Sequence, residues 1–361
     1  LAEKSKIKVA VLGATGTVGR RMVAGLARHP WLELAAAAAS PASAGKTYGA
    51  AVQGSWPGPA LPAAVAELVV ARAAEDVAEI SRGVELVFSA MSLGAEETRA
   101  LEEVYAGAGV AVVSTSSAHR ATADVPVIMP EINPGHAALI DIQRKNRGWS
   151  RGLIAVKPNC SVQSYLPVVK ALERFGPRRV VVTTLQAVSG AGRTLESWPE
   201  MHDNVIPFIP GEEEKSEREP LKILGKLEGG RLRPARLPTF SATCFRVPLS
   251  DGHLAAIYVE LAEAASRADV VAALNDYPNP IAALGLPSAP ARLIHVCEQD
   301  DRPQPRLDRD AEDGMAVSVG RIREDGARGW KFVALSHNTR RGAAGGAILL
   351  AELLRAKGYV G

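Results

Sequence analysis

The chain has little cysteine. Its 361 residues contain only Cys160, Cys244 and Cys297. Three widely spaced cysteines make neither a disulfide framework nor a zinc-ligand cluster, so no metal site is expected. Charge of one sign is also lacking. With 42 basic and 39 acidic residues the net charge is only +3, and no Lys/Arg stripe interleaves with aromatics. No nucleic-acid partner is therefore expected. Long apolar runs are missing too: the alanine run at 35–39 is too short to cross a bilayer, so no membrane partner is expected. Leu1-Ala2-Glu3-Lys4 leads straight to a strand-like run at Ile7, which predicts no signal peptide. Few, scattered cysteines fit a reducing cytoplasm. The hydrophobic content of 47% and charged content of 22% are those of a soluble globular enzyme, long enough for two cores.

Strands and helices alternate from the start. Residues 7–12 read as a buried parallel strand, 20–29 as a helix and 32–39 as the next strand, forming one βαβ unit. Strand, helix and strand follow at 84–90, 95–106 and 110–114, the pattern of a doubly wound parallel sheet. Residues 178–188 and 253–261 are long β-rich runs with helical segments between them. They predict a mixed sheet with helices on one face. An Ala/Leu-rich amphipathic helix at 343–357 is expected to return to the first domain. Glu212-Glu213-Glu214-Lys215 reads as a solvated helix face.

Between the first strand and helix lies Gly13-Ala14-Thr15-Gly16-Thr17-Val18-Gly19, a G-x-x-G-x-x-G turn. Gly13 permits the tight turn, Gly16 lets the backbone approach a pyrophosphate, and Gly19 lets the helix pack on the sheet. An NAD site carries Asp or Glu after the second strand, for the ribose 2′-OH. Here the segment is Ser40-Pro41-Ala42-Ser43-Ala44-Gly45-Lys46, with no acid. Ser40, Ser43 and Lys46 offer two hydroxyls and a cation for a 2′-phosphate, which favours NADP. A polar surface loop is the plain alternative.

Val156-Lys157-Pro158-Asn159-Cys160-Ser161 places a cysteine between a strand-like stretch (152–156) and a helical one (162–175). Pro158 ends the strand and Asn159 can orient the turn. A thiol at a helix start is favoured as thiolate, the nucleophilic form. A buried structural cysteine fits the same window.

Three further windows are Gln186-Ala187-Val188-Ser189-Gly190-Ala191-Gly192, the segment from Cys244-Phe245-Arg246 to Ser250-Asp251-Gly252-His253, and His337-Asn338-Thr339-Arg340-Arg341-Gly342. With Pro158-Asn159-Cys160-Ser161 they resemble aspartate-β-semialdehyde dehydrogenase, most closely its archaeal and fungal type. The likeness runs from Lys6 to Tyr359 and includes the stretches 203–209 and 301–309.

The resemblance implies a Rossmann-type doubly wound parallel sheet at 1–158 plus 338–361, binding NADP. It also implies an α+β catalytic and dimerisation domain of glyceraldehyde-3-phosphate-dehydrogenase-like type at 159–337. The activity implied is NADPH-dependent reductive dephosphorylation of β-aspartyl phosphate through a Cys160 thioester, in lysine, threonine and methionine biosynthesis. His253 would be general acid/base, taking the thiol proton. Gln186 would orient the acyl group and Arg246 would grip the α-carboxylate. Asn159 would contact substrate, Glu219 would meet the amino group, and Lys222 and Arg120 would hold phosphate. Asn338 would meet the nicotinamide end, with Thr15, Thr17, Val18, Ser189 and Gly190 as further cofactor contacts. A homodimer or dimer of dimers is implied. His295, Cys244 and Cys297 are assigned to structure. The alternatives are a malonyl-CoA reductase or an N-acetylglutamyl-phosphate reductase of the same superfamily, and a non-catalytic NADP sensor.

Overall fold

The computed structural model describes residues 5–58 and 60–361, so Leu1–Lys4, on which the leader reading rests, lie outside the described residues. The first half builds one parallel sheet from β1 (Ile7–Leu12), β2 (Leu32–Ala39), β3 (Ala71–Arg72), β4 (Leu86–Ser89), β5 (Ala111–Ser114) and β6 (Leu153–Val156). Their order is β3-β2-β1-β4-β5-β6, and every neighbouring pair is parallel. The chain runs outward from β1 in one direction and then in the other. The strand ends beside β1 therefore face a crevice where ligands bind in open α/β sheets. Apart from Lys8, β1 is wholly buried, as expected of a strand covered on both faces.

A small hairpin of β8 (Lys226–Glu228) and β9 (Arg231–Arg233) stands apart from the second sheet. That sheet contains β7 (Pro177–Gln186), β10 (Thr239–Arg246), β11 (His253–Leu261), β12 (Ile294–Val296), β13 (Val317–Glu324) and β14 (Gly329–Ser336), in the order β10-β7-β11-β14-β13-β12. It is mixed: β10 runs parallel to β7, whereas β11 is antiparallel to both β7 and β14. Along β11 the buried residues His253, Ala255, Ile257, Val259 and Leu261 alternate with more exposed ones, so one face is covered and the other is open.

The covering element is the helix Val162–Ala171, which packs on β7, β11, β13 and β14. Its Val162, Tyr165, Leu166 and Val169 join a core that continues into Leu12 and Val87 of the first sheet. A second core lies on the other side of the first sheet. There Leu349, Leu350 and Leu353 of the C-terminal helix Gly345–Ala356 meet Met22 and Leu26 of the helix Thr17–Leu26. No described helix is long and apolar enough to cross a membrane.

Candidate active site

Two cavities meet at Cys160. One, of about 300 Å³, is lined by Gln186, Trp198, Phe208 and Arg246. The other, of about 450 Å³, reaches Val18, Arg120, Lys157, Ser189, Asn338 and Gly342. Cys160, Gly190 and Glu212 belong to both. A larger cavity, about 550 Å³, lies behind the helix Thr17–Leu26 and does not include Cys160.

Cys160 sits where β6 gives way to a helix. Asn159 Oδ1 accepts from the Ser161 amide at 3.0 Å and turns the chain into Val162–Ala171. His253, the first residue of β11, brings Nε2 to 3.4 Å from Cys160 Sγ. The Ala187 amide donates to His253 Nδ1 at 3.1 Å. With Nδ1 accepting, the neutral ring carries its proton on Nε2 and faces sulfur as a donor. This differs from the base expected to take the thiol proton. Burial, with Arg246 adding to it, pushes the His253 pKa down to about 3. An imidazolium would also turn a second N–H against that of Ala187.

The expected ground-state thiolate is corrected too. Burial pushes the Cys160 thiol up and Glu212 pushes it further, while Lys157, Arg120 and Arg246 oppose this without reversing it. The helix start does not outweigh desolvation and a neighbouring carboxylate.

The parallel pairing of β7 and β10 sets Gln186 opposite Arg246. Gln186 Nε2 donates to Glu212 Oε2 at 3.3 Å, and Arg246 Nη1 donates to Ala187 O at 2.7 Å. Glu212 Oε2 also accepts from Asn159 Nδ2 at 2.9 Å, and its Oε1 from Lys215 Nζ at 3.0 Å. Burial pushes this carboxyl up, but Lys215, Asn159 and Gln186 together hold it below its ordinary range. Glu212 and Lys215 therefore line the site rather than a solvated helix face.

Glu219 and Lys222 do not line either cavity. Both Glu219 oxygens are engaged, Oε1 by Arg120 Nη1 at 2.8 Å and Oε2 by the Asn159 amide at 2.7 Å. Lys222 Nζ donates to the carbonyls of Arg120 and Thr122 at 2.8 and 2.7 Å. Burial lowers its pKa to about 8. These two residues hold the loop that presents Arg120. The sequence carries two Glu-x-x-Lys pairs on the helix Glu212–Ile223, seven residues apart and hence on one face. The spacing alone did not choose between them. The available signal was position, because Glu212 opens the helix where the 203–211 stretch delivers it.

Around the glycine turn, Gly13 has φ +76°, and a Cβ on Gly19 would stand 2.0 Å from Gly13 O. Gly16 precedes the helix that starts at Thr17. Thr15 Oγ1 lies 3.4 Å from Ser43 Oγ, which brings the turn beside the 40–46 loop carrying Ser40 and Lys46, both exposed. Asn338 Nδ2 donates to Ser189 Oγ at 2.9 Å, and Asn338 Oδ1 accepts from the Gly252 amide at 2.7 Å. The next turn, Arg340–Ala344, is a π-helix anchored by the buried Arg341, which donates to Glu131 at 2.7 Å.

Residues 8–140 match the semialdehyde dehydrogenase NAD binding domain, and residues 167–341 match the semialdehyde dehydrogenase dimerisation domain. An aspartate-semialdehyde dehydrogenase of Archaeoglobus fulgidus is 44% identical, over 97% of this chain and 98% of the relative. One from Trichophyton rubrum is 41% identical over the full length of both. Among solved structures, an aspartate semialdehyde dehydrogenase with NADP from Candida albicans superposes with a TM-score of 0.86 at 40% identity, covering 98% of this chain and 100% of that one. An aspartate semialdehyde dehydrogenase II complexed with ASA from Vibrio cholerae gives 0.73 at 27% identity, covering 98% and 99%. Relatives 41–44% identical match the chain over nearly its whole length, and the chain belongs to the aspartate-semialdehyde dehydrogenase family.

Proposed function

We propose that this chain reduces β-aspartyl phosphate to aspartate semialdehyde and phosphate with NADPH, through a thioester on Cys160, in amino-acid biosynthesis. The observation that carries the reading is Cys160 Sγ at 3.4 Å from His253 Nε2, in a cavity shared with Glu212 and Arg246.

The residues fit the cofactor. The Gly13–Gly19 turn leaves no room for a Cβ at Gly13 or Gly19 and opens a helix N-terminus, where phosphates are favoured. The 40–46 loop beside it offers Ser40, Ser43 and Lys46 and no acid, as a 2′-phosphate requires. Bound NADPH would supply the hydride that reduces the thioester.

In the acylation step Sγ forms a bond to the acyl carbon, the bond to the phosphate oxygen breaks, and the thiol proton leaves with phosphate. A thioester splits one difficult reduction into two easier steps. His253 Nε2–H supports negative charge, first on sulfur and later on the carbonyl oxygen. Arg246, with one N–H on Ala187 O, offers its remaining donors to the α-carboxylate. Glu212 takes the place assigned to Glu219 and faces the α-ammonium. Arg120 and Lys215, both on the larger cavity, take the phosphate, with Lys222 fixing the Arg120 loop. Gln186 and Asn159 orient the Glu212 carboxylate. Ser189 and Asn338 hold the nicotinamide end.

Residues 1–158 with 338–361 would serve cofactor binding, and 159–337 catalysis and dimerisation. The open face of the second sheet, where Tyr258 stands opposite Val181, suits a dimer contact, and a dimer of dimers is the further reading. The free thiol this chemistry needs suits a reducing cytoplasm.

The test is NADP reduction with aspartate semialdehyde and phosphate, set beside NADPH oxidation with malonyl-CoA. Phosphate-dependent turnover of the aspartyl substrate is expected. Faster reaction with malonyl-CoA would overturn the assignment.

A further inference from the structure

Lys157 is a cationic residue of the larger of the two cavities that meet at Cys160, and the reaction above gives it no part. It is 3% exposed, yet it lines the same cavity as Cys160 and Arg120. Its ammonium donates to two backbone carbonyls, those of Pro158 and Gly342. The second lies in the π-turn Arg340–Ala344, 185 residues away in sequence. Gly342 in turn is pressed against the nucleophile: a Cβ there would stand 2.8 Å from Cys160 Cβ. Lys157 thus grips the residue that walls Cys160, from a position three residues before it in the chain. Two carbonyls take two of its three N–H groups, and they leave a buried positive charge next to the sulfur's cavity.

We propose that Lys157 is a positioning residue for Cys160, clamping Gly342 against the nucleophile and providing the fixed positive charge against which the thiolate forms. The step it assists is loss of the Sγ proton to solvent or substrate, with no redox change. A buried thiolate is costly unless paired, and an ammonium held within the same cavity lowers that cost. The charged groups around Lys157 are Arg120 from the loop after β5, Cys160 before the helix Val162–Ala171, and Glu212 and Glu219 from the helix Glu212–Ile223. Arg120 opposes the ammonium, whereas the two carboxylates and the sulfur favour it. Burial is the larger effect and brings the Lys157 pKa down to about 7.

A distinctive pH dependence follows. Below pH 7 Lys157 is charged, and each unit of rising pH increases the thiolate paired with it tenfold. Above pH 7 the pair loses a proton from one site or the other, so the reactive thiolate–ammonium form stops accumulating and the rate levels off. The measurement is iodoacetamide labelling of Cys160 in the full-length protein, from pH 5.5 to 9. It rests on Cys160 being the nucleophile but not on the substrate, so it stands or falls separately from the activity assay.

Wild-type labelling should rise to about pH 7 and then flatten. Lys157→Met should label roughly tenfold more slowly at pH 6 and rise steadily, closing on wild type by pH 9. Lys157→Arg keeps a charge that does not titrate in this range. It should rise steadily without the plateau and exceed wild type at pH 9. A rate ratio between Met variant and wild type that is constant with pH would reduce Lys157 to a packing role and overturn the proposal, as would equal rates. If the Met variant fails to fold, Lys157→Gln takes its place in the same comparison, and labelling of Cys160 at the wild-type rate at pH 6 overturns the proposal.

Discussion

The Ala187 amide donates to His253 Nδ1, and this bond decides which ring nitrogen carries the proton beside Cys160. The imidazole is presented to sulfur as an N–H donor, and its protonation is opposed by burial, by Arg246 and by the amide itself. The chemistry at Cys160 is therefore best described as donation to developing negative charge.

That description makes a testable distinction. His253→Gln keeps a side-chain N–H donor of similar reach, whereas His253→Ala keeps none. The glutamine variant should retain at least about tenfold more kcat than the alanine variant, the scale of one lost donor to a developing charge. Equal losses in both would mean that the imidazole acts as a base after all. Cys160→Ala should abolish turnover while leaving NADP affinity within about twofold, because the thiol makes no part of the glycine turn.

The two Glu-x-x-Lys pairs should separate kinetically. Glu212→Ala removes the proposed partner of the substrate ammonium and frees Asn159 and Gln186. Its KM for aspartate semialdehyde should rise by about 10² or more, the penalty for leaving polar groups unpaired. Glu219→Ala frees Arg120 and the Asn159 amide, so its main effect should be on the KM for phosphate. Steady-state kinetics with each substrate varied in turn would show the reverse pattern if Glu219 were the ammonium site.

Acid should weaken the fold early. Burial pushes His253 down to about 3 and His337 to about 4. Both bind protons in the unfolded chain below its ordinary histidine pKa of about 6.5 but stay neutral in the folded one. Stability is then complete above about pH 6.5 and falls by about 1.4 kcal/mol per pH unit for each group as pH drops toward the folded values. Between pH 6.5 and 5 the two together cost about 3 kcal/mol. Urea midpoints at pH 7 and pH 5 measure this, and a flat profile between them would contradict the buried neutral state of both rings.

Cofactor choice follows from the 40–46 loop. NADP should exceed NAD by at least about tenfold in kcat/KM, about 1.4 kcal/mol. Lys46→Glu should narrow the gap by restoring an acid near the ribose. Equal efficiency of the wild type with both dinucleotides would be incompatible with a 2′-phosphate site at Ser40, Ser43 and Lys46.

The sequence was most legible where local pattern and tertiary role agree. β1, β2 and β11 occupy the residues read for them, because buried parallel strands and a half-covered strand leave clear apolar patterns. The glycine turn was legible for the same reason, since its backbone geometry dictates its residues. Short strands such as β3 and β12 carry too few residues for a period and went unread. At the site, Cys160, His253, Gln186 and Arg246 were found through motif windows, and the fold draws them together. The burial of Glu212 was invisible, because a run of three acids followed by lysine has the composition of a solvent-facing turn. The protonation of Cys160 was misjudged for a related reason: helix position can be read from sequence, but desolvation depends on everything that packs around the thiol.

The contact between Gly342 and Cys160 also bears on when activity can first arise. Synthesis runs from the N-terminus, and the first sheet, the cysteine and β11 all precede Gly342 in the chain. Until Gly342 and the helix after it emerge, Cys160 lacks one side of its chamber, and Met22 and Leu26 lack the helix that caps their side of the sheet. A nascent chain can hold a folded cofactor-binding sheet and still have an open, reactive cysteine. The site is thus assembled from distant parts of the chain, and docking of the Arg340–Ala344 turn is the event that closes the thiol in.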